Sequence, residues 1–446
     1  MPRPHHLLSP SWQASALLRA VLCAAPLLSG PLAAQVSLSG FGTLGYAISD
    51  QEYRYQRFVD EHGTFMRDSV LGVQADIRLS ESFSLVAQGK IAPSIRDDSS
   101  WDPTLTWAFL AWRPSNELLI RVGRVRVPYY LNSSNLDVGV TYDAAQLPTE
   151  LYSISPTNET NGISVSHTWS FPSADLGLDA YWGRAHSHSR FFFRDDIRSI
   201  GGPPRGATFV PVEIDSRGLA LTLNHAENVY RAGYHYAEVS RRNGEDFHSD
   251  TPFVSLAGEG FYISEPSALA PGVSIPSVGA VHFGILTAGA DIALPGSLRL
   301  SGEFARRINL NAPRGGLDTR GGYLSLRGEV GAWRPYVTAS RLISADPSLD
   351  LYLAVNANRV NSPPLPANLA ATINALQRFS ADRLVVYDQS TFALGTAYVL
   401  SPTQKLKAEW ALTRVGRVSH FVDAPAGGDI RHQNINVFSF SYNFTF

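Results

Sequence analysis

Apolar and polar residues alternate with a period of two through most of this chain, and the alternation is cleanest in its last nine residues. Phe438-Ser439-Phe440-Ser441-Tyr442-Asn443-Phe444-Thr445-Phe446 sets five aromatic rings against four small polar side chains. A period of two means an extended strand with one apolar and one polar face. The division recurs upstream. Leu71, Val73, Ala75, Ile77 and Leu79 oppose Gly72, Gln74, Asp76 and Arg78; Leu286, Ala288, Ala290, Ile292 and Leu294 oppose Thr287, Gly289 and Asp291. Leu298, Leu300 and Phe304 oppose Arg299, Ser301, Glu303 and Arg307; Phe392, Leu394, Tyr398 and Leu400 oppose Gln389, Thr391, Ala393 and Gly395. Leu406, Ala408, Trp410 and Leu412 oppose Lys405, Lys407 and Glu409. A soluble sandwich buries its apolar face under a second sheet, whereas a membrane barrel turns that face to lipid. Alternation by itself fits both.

The connections favour the barrel. Tight turns rich in Pro, Gly, Ser and Asn fall at 79–82, 113–116, 171–176, 225–228, 295–297, 330–334 and 401–404. Long polar segments fall at 49–65, 92–100, 125–160, 186–212, 241–280, 309–319, 345–383 and 417–433. The two kinds alternate strictly. Seven short and eight long connections join about sixteen strands, with both ends of the barrel on the short-turn side. The expected fold is all-β: a transmembrane, antiparallel, up-and-down barrel. The fourth, ninth and thirteenth strands are ambiguous in register. Trp169, Trp182, Tyr398, Trp410 and the C-terminal rings suit interfacial girdles. Ala367 to Leu384 carries Leu369, Ile373, Leu376 and Phe379 near helical spacing and is expected to form a loop helix.

The N-terminal region reads as a secretory signal peptide of residues 1–34. Arg3 and Arg19 precede an apolar Ala20–Leu28, and Pro31-Leu32-Ala33-Ala34 offers small residues for cleavage near Ala34. Residues 35–446 then form one barrel domain. The single cysteine, Cys23, lies in the leader, where Leu22 before it disfavours a lipid anchor. The remaining 412 residues carry no thiol and a net charge of −4, because the leader holds two arginines and no acid. That near-balance argues against a nucleic-acid partner.

The alternating terminal strand ending in Phe446 resembles the closing strand of Gram-negative outer-membrane proteins. The resemblance implies an outer-membrane location, recognition by the barrel-assembly machinery through Phe446, and contact with lipid and lipopolysaccharide. The third long connection, 125–160, narrows it. Gly123-Arg124-Val125-Arg126-Val127-Pro128, Tyr129-Tyr130, Asp137-Val138-Gly139, Tyr142-Asp143 and Pro148-Thr149-Glu150-Leu151-Tyr152 are too rich in aromatic and aliphatic residues for an exposed loop. They resemble the inward-folded third loop of sixteen-stranded porins, outside the best-known general-diffusion group, whose P-E-F-G-G loop pattern is missing. The resemblance implies a homotrimer and passive diffusion of small hydrophilic solutes through a constriction.

On this reading Asp137, Asp143 and Glu150 supply an acidic loop side. Arg78, Lys90, Arg121, Arg299, Arg307, Arg327, Lys405 and Lys407 fall on expected lumen faces, with Arg124 and Arg126 at the start of the loop. Acids on those faces are fewer: Asp76, Asp291, Glu303, Glu329 and Glu409. Rings of charge tune ion selectivity, so mild anion preference is expected. The alternative is that each arginine pairs with a neighbouring acid and only stiffens the wall. Lys90, Lys405 and Lys407 are the only lysines.

Other motifs carry less. Gly40-Phe41-Gly42-Thr43-Leu44-Gly45 fits G-x-G-x-x-G but leads into no helix, so it reads as a first strand rather than a nucleotide site. His186-Ser187-His188 lacks a third metal ligand. No nucleophile elbow is present. Neither catalytic residues, metal nor cofactor is expected. Two other readings stay open: a barrel acting as adhesin or receptor through its long outer loops, and a secreted soluble β-protein.

Overall fold

A computed structural model describes residues 35–446; the expected leader, its cleavage site and Cys23 lie outside the described residues. The barrel strands are β1 (Gln35–Ser49), β2 (Val70–Arg78), β3 (Phe83–Pro93), β4 (Trp101–Trp112), β5 (Leu118–Arg126), β6 (Glu159–Phe171), β7 (Ala174–Phe193) and β8 (Gly206–His225). They continue as β9 (Asn228–Arg241), β10 (Ala280–Leu294), β11 (Leu298–Asn309), β12 (Thr319–Gly328), β13 (Trp333–Ser344), β14 (Tyr387–Ser401), β15 (Gln404–Ser419) and β16 (Asn434–Thr445). Each pairs antiparallel with its neighbours in sequence, and β16 returns to β1, closing a sixteen-stranded barrel. Closure leaves no unpaired edge, so every strand can satisfy its backbone in a lipid phase.

The faces follow the sequence pattern. Leu71, Val73, Leu286, Phe304, Leu394, Leu406, Phe438 and Phe440 are exposed on the outside, while Ser439, Ser441 and Asn443 are buried within. An apolar exterior around a polar interior inverts a soluble protein and requires lipid around it. Trp169 and Trp182 also point outward. Near the short turns, Phe83 stacks on Trp112 with centroids 6.1 Å apart, and Trp333 meets Tyr398 edge-on at 4.7 Å.

The glycines of the G-x-G-x-x-G stretch have a packing role. A Cβ on Gly40 would lie 2.2 Å from the Phe446 ring, and one on Gly42 would lie 2.5 Å from the Phe444 ring. The closing strand thus lays its terminal rings over the bare backbone of the first.

Two expectations shift. The fourth long connection is much shorter than 186–212, because β7 and β8 stay paired as far as Phe193↔Gly206. His186 and His188 therefore lie on β7, where His186 Nε2 sits 3.2 Å from Glu213 Oε2; no cluster of metal-ligating residues occurs among the described residues. The register ambiguity in the fourth strand has a cause: a bulge at Thr106 of β4, opposite Gln88 and Gly89 of β3.

Among the described residues three α-helices occupy loops: α1 (Thr149–Tyr152), α2 (Asp346–Ala357) and α3 (Ala367–Asp382). The expected loop helix is α3. Loops five (242–279) and seven (345–386) carry small cores of their own. Phe261, Ile263 and Ile275 pack with Leu365, Ala370 and Ile373, and Leu349, Leu351 and Val355 pack with Ala381 and Leu384.

Candidate channel constriction

The third loop (127–158) leaves the wall at β5 and folds into the lumen. Gly123 makes this departure possible. Its φ is +135°, and a Cβ there would meet the Ala108 carbonyl oxygen at 2.2 Å. Both ends of the loop are then fixed by apolar packing. Tyr129 and Tyr130 are buried, with Tyr129 4.4 Å from the His235 ring and Tyr130 4.9 Å from Tyr152. Leu151 and Ile154, around α1, join the same cluster as Ile214, Ile285 and Leu342 of the wall.

Between these ends the loop is held by charge and hydrogen bonds. Asp137 accepts from Lys90 Nζ and Arg126 Nη2, both at 2.6 Å, and Arg126 also donates to Glu159 at 2.8 Å. Lys407 Nζ donates to the carbonyls of Gly139 and Ala144 at 2.7 and 2.8 Å and lies 4.0 Å from the centre of the Tyr142 ring. Asp143 accepts from Lys405 at 2.7 Å and faces Arg327 at 3.8 Å. The Ala145 amide donates to Tyr336 Oη at 2.8 Å. Burial pushes the Asp137 carboxyl up, but Lys90 and Arg126 outweigh it and hold it at about 2. Burial, with Asp137 behind it, pushes the Tyr142 phenol up, so it stays protonated.

The structure thus gathers Asp137, Asp143, Lys90, Arg126, Lys405, Lys407 and Arg327 on one path across the lumen. Arg124 stands at its start, 3.9 Å from Glu159. The other expected residues go elsewhere. Glu150 is buried (2 % exposed) and turned into the wall, accepting from Ser340 at 2.9 Å, Gln389 at 2.7 Å and Thr391. Arg299 pairs with Asp291 near the short turns, and Arg327 bridges Asp291 at 3.1 Å to the loop. Arg78 is exposed beside the β2–β3 turn, with no ion pair among the described residues. Arg307 is buried above the loop, donating to the carbonyls of Leu317 and Ile154.

A cavity of 240 Å³ remains between the loop and the β4–β9 side of the wall, lined by Trp107, Arg121, Arg126, Ser166, Asp179 and Arg231. Arg121 donates to the Ser166 hydroxyl at 3.2 Å, which in turn donates to Asp179 at 2.7 Å. Arg231 donates to the Pro128 carbonyl at 2.8 Å and lies 3.6 Å from Asp179. Sequence reasoning missed Arg231 and Asp179. Alternation in Tyr230-Arg231-Ala232-Gly233-Tyr234 holds the signal, once the ninth strand is given a register.

The outer mouth is spanned by loops. The β7–β8 and β15–β16 connections lie halfway round the barrel from each other, so contacts between them cross the opening. Arg194 reaches Asp382 of α3 at 2.6 Å and the Gly428 carbonyl at 3.0 Å; Asp195 pairs with Arg378 and accepts from Gly427 N at 2.9 Å. Nearby, Arg190 joins Asp98 and Asp423, both at 2.7 Å, and Asp98 also pairs with Arg57 at 2.8 Å.

A closed sixteen-stranded barrel with its third loop folded into the lumen is a porin-type transmembrane barrel. No protein-family profile matches the chain, and no curated protein matches it by sequence. Among solved structures it is similar to OmpT of Vibrio cholerae, at 11% identity over 94% of this chain and 100% of that one, with a TM-score of 0.48. It is also similar to the anion-selective porin of Comamonas acidovorans, at 11% identity over 93% and 100% with a TM-score of 0.47. OprB of Pseudomonas putida matches at 11% over 98% and 97%, with a TM-score of 0.46. At these scores the likenesses carry no functional conclusion.

Proposed function

We propose that this chain is an outer-membrane porin, a water-filled channel for passive diffusion of small hydrophilic solutes, and not an enzyme. The carrying observation is the third loop, which crosses the interior between apolar anchors at both ends and presents a polar, charge-lined middle. Mild anion preference follows from the local balance. Asp137 is shared by two cations and Asp143 by two more, while Arg121 and Arg231 in the remaining passage face a single lining carboxylate, Asp179. A fixed cationic excess raises the concentration of small anions in a narrow aqueous path.

The proposal carries the rest of the sequence reading with it. Residues 1–34 are removed as a signal peptide near Ala34. Phe446 is read by the barrel-assembly machinery. The barrel sits in the outer membrane as a homotrimer, in contact with lipid and lipopolysaccharide. Planar-bilayer recordings test it: discrete ohmic steps are expected, with a reversal potential in a salt gradient displaced toward the anion. A cation-selective channel would refute the preference.

One observation favours a second reading, a barrel that binds a partner through its outer loops. The loops lock to one another across the mouth and carry small cores of their own. A correctly folded barrel that stays electrically silent would support it against the channel.

A further inference from the structure

Above the third loop the lumen holds a second cavity, of 460 Å³, separate from the passage along β4–β9. Pro156 and Phe283 form its floor, Val210 and Ile214 part of its wall, and Phe379 and Leu384 part of its roof. Its volume is within the range of small-molecule sites, about 300–1,000 Å³. Charged and titratable residues also line it; His188 has no ion pair, and among the arginines and acids all but one are matched. Arg241 pairs with Glu245 at 3.0 Å, His248 with Glu265 at 3.1 Å, Asp250 with Arg314 at 3.2 Å, and Arg383 with Glu265.

Arg307 is the exception. It is 6 % exposed, and no carboxylate lies within 4.0 Å of its guanidinium among the described residues. Asp318, beside its strand partner Thr319, is taken by Arg306 at 2.6 Å. Nε and Nη1 donate to the Leu317 and Ile154 carbonyls at 2.6 and 2.9 Å, which leaves Nη2 without a protein acceptor. The face of Phe283 lies 5.5 Å away. A buried cation without a counter-ion is unfavourable, and a ligand that brings the missing negative charge relieves it.

We propose that this chamber binds a small monocarboxylic acid with an aromatic or alkyl body. The carboxylate accepts from Arg307 Nη2, and the body lies against the apolar wall. Two of the five guanidinium N–H groups are used, and the apolar lining of Val210, Ile214, Phe283 and Leu384 favours a carboxylate with an organic body over inorganic phosphate. The site deepens the channel reading, on which it rests for the route by which the acid arrives.

The test uses the refolded barrel in lipid nanodiscs, titrated calorimetrically with 4-phenylbutyrate and with 4-phenylbutanol as its uncharged match. Empty nanodiscs correct for partition into lipid. Saturable binding of the acid is expected, about tenfold tighter than the alcohol, as one charge-assisted hydrogen bond would give. Arg307→Met removes that preference. Val210→Trp fills the chamber, leaves Arg307 in place, and weakens both probes. Equal affinity for acid and alcohol, absence of saturable binding, or unaltered binding by Arg307→Met would overturn the site. Should Arg307→Met fail to fold by circular dichroism, the acid–alcohol pair and Val210→Trp still decide. Conductance of the same preparation separates the two proposals. A conducting barrel that ignores phenylbutyrate loses only the chamber; a silent barrel that binds it loses only the channel.

Discussion

The third loop and the outer cover both lie across the lumen, but they are fastened to different things. The third loop is fastened to the wall. Leu151 and Ile154 pack on strand residues, and Asp137 and Asp143 pair with Lys90 and Lys405 on strands. The cover is fastened largely to itself, as Arg194 to Asp382 and Asp195 to Arg378 and Gly427 join one loop to another. A segment tied to a closed hydrogen-bonded barrel inherits its rigidity. A segment tied to other loops opens when a few contacts give way. The difference predicts a fixed field at the constriction and a cover that opens more readily than the third loop.

The largest expected effect breaks the constriction's anchorage. Leu151→Ala removes a fully buried side chain from the cluster under α1 and should cost about 3 kcal/mol. Urea unfolding of the refolded barrel should show a lowered midpoint, with new protease cleavage inside 136–146. An unchanged midpoint and an uncut loop would mean that the loop is not held there.

Next comes Asp137→Asn, which leaves Lys90 and Arg126 with one acid fewer and should move the reversal potential further toward the anion. The same carboxyl gives a pH window. Its folded-state value, about 2, lies below the ordinary 3.8, so its contribution is whole above pH 3.8 and is lost as the pH falls through 2. That contribution is about 2 kcal/mol. The difference in selectivity between wild type and Asp137→Asn should therefore be flat between pH 7 and 4.5; a difference that changes in that interval would mean that Asp137 titrates there.

The cover should respond in the interval where Asp137 does not. His420, in the eighth loop, lies between the rings of Phe191 and Tyr387, each 6.4 Å away. Burial, then the Arg190 charge, lowers its imidazole to about 4 from the ordinary 6.5. The folded cover thus favours the neutral ring. Its contribution is whole above pH 6.5 and is lost as the pH falls toward 4. Amide exchange in 420–433 should quicken across that range while 136–146 stays protected. Equal protection of both segments would erase the distinction.

The smallest effect belongs to Arg378→Gln, which removes one partly exposed pair between α3 and Asp195. A loss of about 1 kcal/mol or less is expected, visible as more frequent current flicker with unchanged main conductance. A changed main conductance would place Arg378 in the passage itself.

The barrel was legible because its information is local. Period-two alternation assigns a face to each residue from its neighbours, and turn residues mark the reversals. Sixteen strands follow from that pattern, and the terminal rings turn outward as the alternation requires; the inward third loop was legible from its aromatic and aliphatic content and its resemblance to porin loops. The same locality hid the upward extension of β7 and β8, since polar residues on a strand projecting beyond lipid read like loop.

The charged residues were only half legible. Sequence placed Asp137, Asp143, Lys90 and Lys405 on facing surfaces, and they meet. It grouped Glu150 and Arg307 with them, but one turns into the wall and the other lies in a separate chamber. Local pattern settles strand count, faces and the direction of each side chain relative to the sheet. Which charges find each other depends on the path of the third loop, whose partners lie from about ten to more than 250 residues away along the chain. That path is fixed only when the closed wall brings Lys90, Tyr336, Gln389 and Lys405 round a common interior.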